Sequence, residues 1–304
     1  SATHLLEQVV REVRALSKAT GRPRVVIAEN DTNDPRLVRP FEQGGLGLDA
    51  HWCDDVHHAI HTVLTGEADG YYADFHAAEG FDVLARALGQ GYVYDGRYSP
   101  SRDCVVGRRA DGLAGRNLVA CIQNHDQVGN RVRGERFHQV SSTAAQKVAA
   151  ALLLTAPFVP LLFHGEEWAA SSPFPYFADH DEELAEAVRL GRQREFSAFG
   201  WRPEDILDPG SVETFAAAKL RWHELDGPEH REMLDWYRDL IDLRRSTPDL
   251  LDDRLDRTVL NSDPERRTLI VERGAVVVCA NLGDDHTTLP VDGRVLLSST
   301  GSSA

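Results

Sequence analysis

Leu5, Leu6, Val9, Val10, Val13 and Leu16 recur at helical spacing and predict a helix over residues 3–19 with one apolar face. Gly21 and Pro23 close it. The period then changes. RVVIAEND (24–31) is a short apolar run ended by Glu29, Asn30 and Asp31. Such a run predicts a strand covered on both faces, as in a parallel sheet. GLDAHW (47–52) predicts a second strand and the stretch near 55–65 a helix. LVACIQNHD (118–126) predicts a third strand, again closed by polar groups. Ser141 or Ser142 caps a predicted helix over TAAQKVAAALLLTA (143–156), which stops before Pro157. FVPLLFHGEE (158–167) predicts a fourth strand, although Pro160 cannot donate to a ladder.

Residues 76–117 read as mostly irregular, with one helix at 79–88, and residues 172–210 as long loop rich in acids, aromatics and prolines. Residues 229–246 read as an amphipathic helix. After Pro248 the pattern becomes RTLIVERG (267–274), AVVVCANLG (275–283), HTTLPVDG (286–293) and RVLLSS (294–299), short strands split by turn residues. No final strand is visible before Gly301–Ala304. The expected division is a catalytic unit over 1–248 and a small antiparallel, sandwich-like β-domain over 249–304.

Strand–helix alternation with polar strand ends is βα grammar. A TIM barrel runs to about 250 residues in eight units, roughly 31 residues each. Only four candidate strands are present, so the expected fold class is α/β, the C-terminal half of a TIM (β/α)8 barrel followed by the β-domain. The strand before RVVIAE would end at or just before Ser1 by the same arithmetic, so the chain is expected to open inside a βα unit. An open doubly wound sheet fits the length better, but no Gly-x-Gly-x-x-Gly turn follows any strand.

Composition narrows the partners. A 42% hydrophobic, 27% charged chain can build a core. Its net charge of −15 repels phosphate backbones, which makes nucleic acid a poor partner and leaves a neutral sugar unaffected. Four scattered cysteines point to a reducing, cytoplasmic setting, with Cys121 and Cys279 expected in the core. No apolar run is long enough for a membrane span, and no leader opens the chain.

In a barrel, Glu29-Asn30-Asp31 and Asn124-His125-Asp126 would face one C-terminal mouth. Two carboxylates from different strands suit glycosidic cleavage, the acid being a partly buried Glu held protonated. Taken singly, each could instead cap a loop. The run from Trp52 to His61 is the densest polar cluster. His57 and His61 share a helix face as zinc ligands do, but no His-Glu-x-x-His and no third ligand accompany them. Asp54, Asp55, His57 and His61 fit sugar-hydroxyl binding better; solvent-facing first-turn residues are the bland alternative. Trp52, Tyr71, Tyr72, Trp168, Phe174, Tyr176 and Phe177 could stack on sugar faces or fill the core. Arg131 could pair with an active-site carboxylate or sit in a surface ion pair. No Gly-x-Ser-x-Gly elbow supports a serine nucleophile.

IAEND, WCDDVHHAIHTVLTGEADGYYADF, QNHDQVGNR and LLFHGEEWAASSPFPYFADH follow one another as they do in maltooligosyltrehalose trehalohydrolases of the α-amylase clan, which the chain resembles over nearly its whole length. The Asn-His-Asp motif is clan-wide; the Asp-Asp-x-His-His and Pro-Phe-Pro-Tyr-Phe segments narrow the match. The resemblance implies retaining hydrolysis of the α-1,4 bond beside a terminal trehalose unit. It places the general acid/base at Glu29 and the transition-state-stabilising carboxylate at Asp126. Substrate-contacting stretches would match His61 to Thr65 and His125 to Asn130, which include Gln127 and Asn130. No metal or organic cofactor is implied, and the partner would be an α-1,4-glucan oligosaccharide ending in trehalose. The family's nucleophile, an Asp closing the preceding strand in an Arg-x-Asp-Ala-like motif, has no counterpart here. Only Glu7 and Glu12 precede Glu29, both on the first helix, so the segment alone is expected to be inert. Competing expectations are a branching or debranching enzyme of the same clan, a carbohydrate-binding homologue without catalysis, and a metal hydrolase built on His57 and His61.

Overall fold

The computed structural model describes residues 3–76, 80–196, 202, 206–283 and 285–300. The first helix, α1 (Leu5–Thr20), begins where the His4 ring accepts from the Leu6 N–H at 3.1 Å. It ends where Gly21 takes φ 64°, a left-handed cap. Its apolar stripe is only partly covered: Val10 is buried, but Leu5 is 70% and Leu16 49% exposed.

The chain continues through β1 (Ile27–Ala28), β2 (Ala50–Trp52), α2 (Asp54–Thr65), α3 (Ala73–His76) and α4 (Gly80–Gln90). A hairpin follows, β3 (Asp95–Ser99) and β4 (Cys104–Gly107). Then come β5 (Leu118–Ala120), α5 (His125–Gly129), α6 (Phe137–Val140), α7 (Thr143–Thr155) and β6 (Val159–Pro160). The last stretch holds α8 (Glu182–Phe196), α9 (Val212–Ala217), α10 (Pro228–Ser246) and α11 (Pro248–Leu251), then β7 (Thr258–Asp263), β8 (Thr268–Arg273) and β9 (Val276–Asn281).

Four strands form one parallel sheet in the order β1-β2-β5-β6, the order in which they occur in the chain. A doubly wound sheet would reverse that order at a switch point; this one does not. The inner strands are buried except at the half-buried Trp52, with Leu118 and His51 fully covered. The outer strands are not: Ile27 is 44% and Val159 39% exposed. The cause is geometric, since each outer strand has a sheet neighbour on one side only.

Val56, Ile60, Leu84, Leu88, Leu152 and Leu153 of α2, α4 and α7 form the main core together with Leu269, Val271 and Ala280 of the antiparallel β7-β8-β9 sheet. Gly91, at φ 79°, lets the chain turn from α4 onto this core; a Cβ there would meet Leu118 Cδ1 at 2.4 Å. Met233, Trp236, Tyr237 and Leu240 of α10 pack on Ala150 and Leu154 of α7. Arg244 donates to the carbonyls of Leu154, Ala156 and Phe158 at 2.6–2.7 Å, satisfying the orphan end of α7 and fixing the entry to β6. Among the described residues, no helix is long and apolar enough to cross a membrane.

Several expectations change. The predicted strands 24–31, 47–52, 118–126 and 158–167 pair over only two or three residues each. Asn-His-Asp opens α5 rather than ending a strand, and Glu166–Trp168 form a 3-10 turn. Residues 95–107, read as irregular, form the β3–β4 hairpin; Tyr98 and Val105 lie on its exposed face, so no apolar alternation announces it. Residues 182–196 are helical although acidic and without a covered stripe. Strand β7 went unread, while HTTLPVDG and RVLLSS carry no strand among their described residues, Pro290 and Gly293 interrupting them. Cys279 is exposed rather than core, since it falls on the outward-facing side of β9. The first residue of the predicted 79–88 helix and Gly301–Ala304 lie outside the described residues.

Candidate functional site

Glu29, Asn30 and Asp31 follow directly on β1. The segment after β5 is held by a reciprocal cap. The Asn124 side chain accepts from the N–H groups of Asp126 and Gln127, at 2.8 and 3.4 Å, and Gln127 Oε1 accepts from the Asn124 N–H at 3.1 Å. This pins Asp126 in the first turn of α5. The result is convergence: His125 Nε2 lies 3.6 Å from Glu29 Oε1 and 3.4 Å from Asp126 Oδ1. One ligand atom of each of Glu29, His125 and Asp126 lies within 4.8 Å of the others. Trp52, at the end of β2, meets the His125 ring edge-on at 5.8 Å. Glu29 was expected partly buried; its side chain is 53% exposed because it sits on an outer strand with one side open.

Glu29 and Asp126 line a cleft of about 390 Å3, whose lining does not include His125 or Trp52. Asn30, Asp31, Asp54, Gln127 and Asn130 line it as well, so seven of the sequence-derived candidates share one space. Tyr71, read as a ring that could stack on a sugar or fill the core, lines it too; His58 and Arg102 are the two lining residues that were not among the candidates. His58 follows Asp54 by four positions, one helical turn, and that spacing was the available signal. Arg102 arrives on the β3–β4 turn, pairs with Asp31 at 2.9 Å and lies over the Tyr94 ring. Its contact could not be read from spacing. A larger cleft of about 960 Å3 between α4 and β7 contains none of the strand-end residues.

The electrostatics of the cleft are uneven. Burial pushes the Asp54 carboxyl up to about 7, and the neighbouring charges of Asp55, Asp126, Asp31 and Glu29 push the same way. Burial carries His58 down to about 3, so its imidazole is neutral at ordinary pH. Beside the exposed carboxylates stand a neutral imidazole and a carboxyl that keeps its proton only below about pH 7. A Glu and an Asp in contact distance at one cleft can share a proton-transfer and charge-stabilising role on a neutral substrate.

The other candidates do not reach the cleft. Asp55 is buried and accepts from Asn33 Nδ2 at 2.7 Å and from the N–H groups of Val93 and Tyr94 at 2.6 and 2.8 Å. Burial raises its carboxyl to about 6, against the pull of those donors. His57, neutral through burial, donates from Nδ1 to the Ile122 carbonyl at 2.8 Å and accepts the Tyr72 hydroxyl at 2.9 Å. His61 contacts Glu67 at 2.7 Å and stacks on Tyr72. Thr65 donates to the His61 carbonyl and accepts from the Glu67 N–H. Arg131 grips Glu67 with two bonds of 2.9 and 2.8 Å, a partly buried pair that lies off the cleft lining. His57 and His61 are thus occupied by protein partners and form no cluster of three ligands among the described residues. Of the aromatics, Tyr71 lines the cleft; Tyr72 and Trp168 are core, and Phe174 packs on Phe163 and Phe177.

The malto-oligosyltrehalose trehalohydrolase of Mycobacterium tuberculosis H37Rv is 42% identical over 301 residues, 98% of this chain and 51% of that protein. The chain is homologous to malto-oligosyltrehalose trehalohydrolases. The Rhizobium sp. M-11 trehalohydrolase is likewise 42% identical, over 98% of this chain and 50% of its own length. A crystal structure from Salmonella typhimurium, provisionally assigned as an alpha amylase, superposes with TM-score 0.85 at 34% identity, over 98% of this chain and 51% of that one. The chain spans about half the length of the trehalohydrolases it matches. No family model matches it.

Proposed function

We propose that this chain forms the acid/base-bearing part of a retaining α-glucan hydrolase that releases trehalose from maltooligosyltrehalose. Residues 1–248 would be the C-terminal half of a TIM barrel and 249–304 its β-domain. Three features support the barrel: the unreversed strand order, outer strands that expose Ile27 and Val159, and the 0.85 superposition. The observation that carries the function is the convergence of Glu29 and Asp126, from two different strand ends, in a protein 42% identical to trehalohydrolases.

In this reading Glu29 protonates the leaving glycosidic oxygen and later deprotonates the attacking water. Asp126 holds substrate hydroxyls and stabilises the positive charge that develops on the sugar ring. The nucleophile comes from the part of the relatives' length that this chain does not span. The partner is an uncharged α-1,4-glucan, and the site requires no cofactor.

The test is trehalose release from maltooligosyltrehalose, followed by chromatography, in the full-length polypeptide that contains this chain. Glu29→Gln should lower kcat by about a thousandfold with an unchanged melting temperature. Full activity in that variant refutes the acid/base role. The 304-residue chain by itself should release no trehalose.

A further inference from the structure

We propose that Asp74, which lies off the cleft, is the positioning residue for Arg102: it ties down the turn between β3 and β4 so that the Arg102 guanidinium stands ready at the cleft, and the strength of substrate binding depends on that tie. This rests on the hydrolase reading of the site and deepens it.

Arg102 arrives on the tip of a hairpin. Residues 100–103 join β3 to β4, and Asp103 turns the chain at φ 49°. A long side chain on such a tip has many rotamers to lose when a ligand arrives. Asp74, on α3, removes that freedom. Its carboxylate accepts from the Ser101 N–H at 3.1 Å, the Ser101 hydroxyl at 2.8 Å, the Tyr94 hydroxyl at 2.7 Å and the hydroxyl of the buried Ser99. Two of these donors lead on to Arg102. Ser99 Oγ, which gives its proton to Asp74, accepts from the Arg102 N–H at 3.1 Å. The buried Tyr94 ring lies under the guanidinium, its centroid 5.1 Å from Arg102 Cζ. Main chain and side chain of Arg102 are thus both held by groups that Asp74 holds. Strand pairing already closes the turn, with Ser99 opposite Cys104. The four added bonds fix where its tip points. Burial raises the Asp74 carboxyl, but bonds from Ser99, Tyr94 and Ser101 outweigh that and keep it charged.

The tip matters because of what it carries. Among the described residues that line the cleft, Arg102 alone bears a fixed positive charge, against the carboxyls of Glu29, Asp31, Asp54 and Asp126. It pairs with Asp31 at 2.9 Å, two positions beyond Glu29. A guanidinium offers five N–H donors in a rigid fork, which suits an uncharged ligand rich in oxygen acceptors. A donor fixed beforehand loses less freedom on binding than one that must first be caught. Asp74 is absent from the lining, so its influence on a ligand passes through the hairpin tip.

The experiment uses the full-length polypeptide and two readouts. Hydrogen exchange needs no substrate: the Ser101 and Arg102 amides should lose protection in Asp74→Ala, and the Arg102 amide in Ser99→Ala. On maltooligosyltrehalose, Asp74→Ala and Arg102→Ala should each raise KM about tenfold and keep kcat within about threefold. The double variant should bind no worse than Arg102→Ala, because residues acting through one another are not additive. Asp74→Asn, which keeps one acceptor oxygen, should fall between wild type and Asp74→Ala. Ser99→Ala leaves Asp74 in place and cuts only its link to the Arg102 N–H; a KM raised about threefold there carries the proposal even where Asp74→Ala fails to fold. Unaltered exchange at the hairpin tip overturns the proposal. So does an unchanged KM in Asp74→Ala and Ser99→Ala, or a further rise in KM when Asp74→Ala is added to Arg102→Ala. Glu29→Gln acts on kcat and leaves hairpin exchange as it is, so failure of the acid/base assignment cannot be mistaken for failure of the Asp74–Arg102 link.

Discussion

Asp54 and Asp55 stand side by side in the first turn of α2, yet they serve different regions of the molecule. A helix advances about 100° per residue, so neighbours cannot face the same way. Asp54 looks into the cleft with no protein partner. Asp55 looks down and ties Asn33, Val93 and Tyr94 together. The division continues along the helix. His58 lines the cleft with Asp54, while His57 and His61 bond Tyr72 and Glu67, partners that Asp55 does not share, and Arg131 grips the same Glu67. Upper groups are exposed or unpartnered, as binding groups must be before a ligand arrives. Lower groups are tied to protein partners, although the buried His61 Nδ1 and Arg131 Nε have no hydrogen-bond partner among the described residues. Polar residues of the same kind, packed into a dozen positions, thus divide into a surface that awaits a substrate and a plinth that fixes its shape.

The largest expected effect lies on the upper side after that of Glu29. Asp126→Asn in the full-length polypeptide should lower kcat on maltooligosyltrehalose by about 100- to 1,000-fold. Its thermal midpoint should stay within about 1 °C of wild type, because the cap on α5 uses the Asn124 and Gln127 side chains and the Asp126 N–H, not its carboxylate. A large drop in midpoint with little loss of kcat would move Asp126 into the plinth and erase the division.

On the lower side the signature inverts. Asp55→Ala removes the acceptor of the Val93 and Tyr94 N–H groups and one of the two acceptors of Asn33 Nδ2, which keeps the Tyr94 carbonyl. The expected cost is about 3 kcal/mol of folding stability, read from denaturant midpoints. The folded fraction should keep its KM. An altered KM at unchanged stability would mean that Asp55 meets substrate after all.

How much of this was legible beforehand follows the same line. Glu29 and Asp126 were readable because strand-end polar groups in a βα scaffold converge by topology, and pairing at β1, β2 and β5 brings them together. The sequence offered the plinth residues as substrate contacts, and they lie off the cleft lining, because polar type and spacing do not report direction. Asp55, His57, His61 and Arg131 carry the same chemistry whichever way they point, and only tertiary partners decide. Arg102 was invisible for another reason. It comes from a hairpin whose strands show no apolar alternation, and its partner Asp31 is 71 positions away. The helices α1, α2, α7 and α10 were recovered nearly to their ends, since apolar period and capping residues are local. The C-terminal sheet was recovered in part. A strand needs a partner, and residues 286–299 have no ladder to join.

The smallest effect concerns Glu67, where the plinth meets solvent. Burial raises its carboxyl, but hydrogen bonds from His61 and Arg131 outweigh that and carry it down to about 2. A carboxyl held below its ordinary 4.5 adds stability above that value and loses it as pH falls toward 2. The Glu67 side chain is 34% exposed, so solvent screening keeps the contribution modest. Glu67→Gln should therefore lower the melting temperature at pH 7 by about 2–4 °C. The gap to wild type should close as pH falls from 4.5 toward 2. His61, lowered by burial, adds a separate loss below its ordinary 6.5; since Glu67 raises it in the wild type, that loss is larger in Glu67→Gln until Glu67 itself is protonated. A gap that stays constant with pH would show that Glu67 acts by shape alone. An effect on KM would show that the support under α2 tunes the cleft above it.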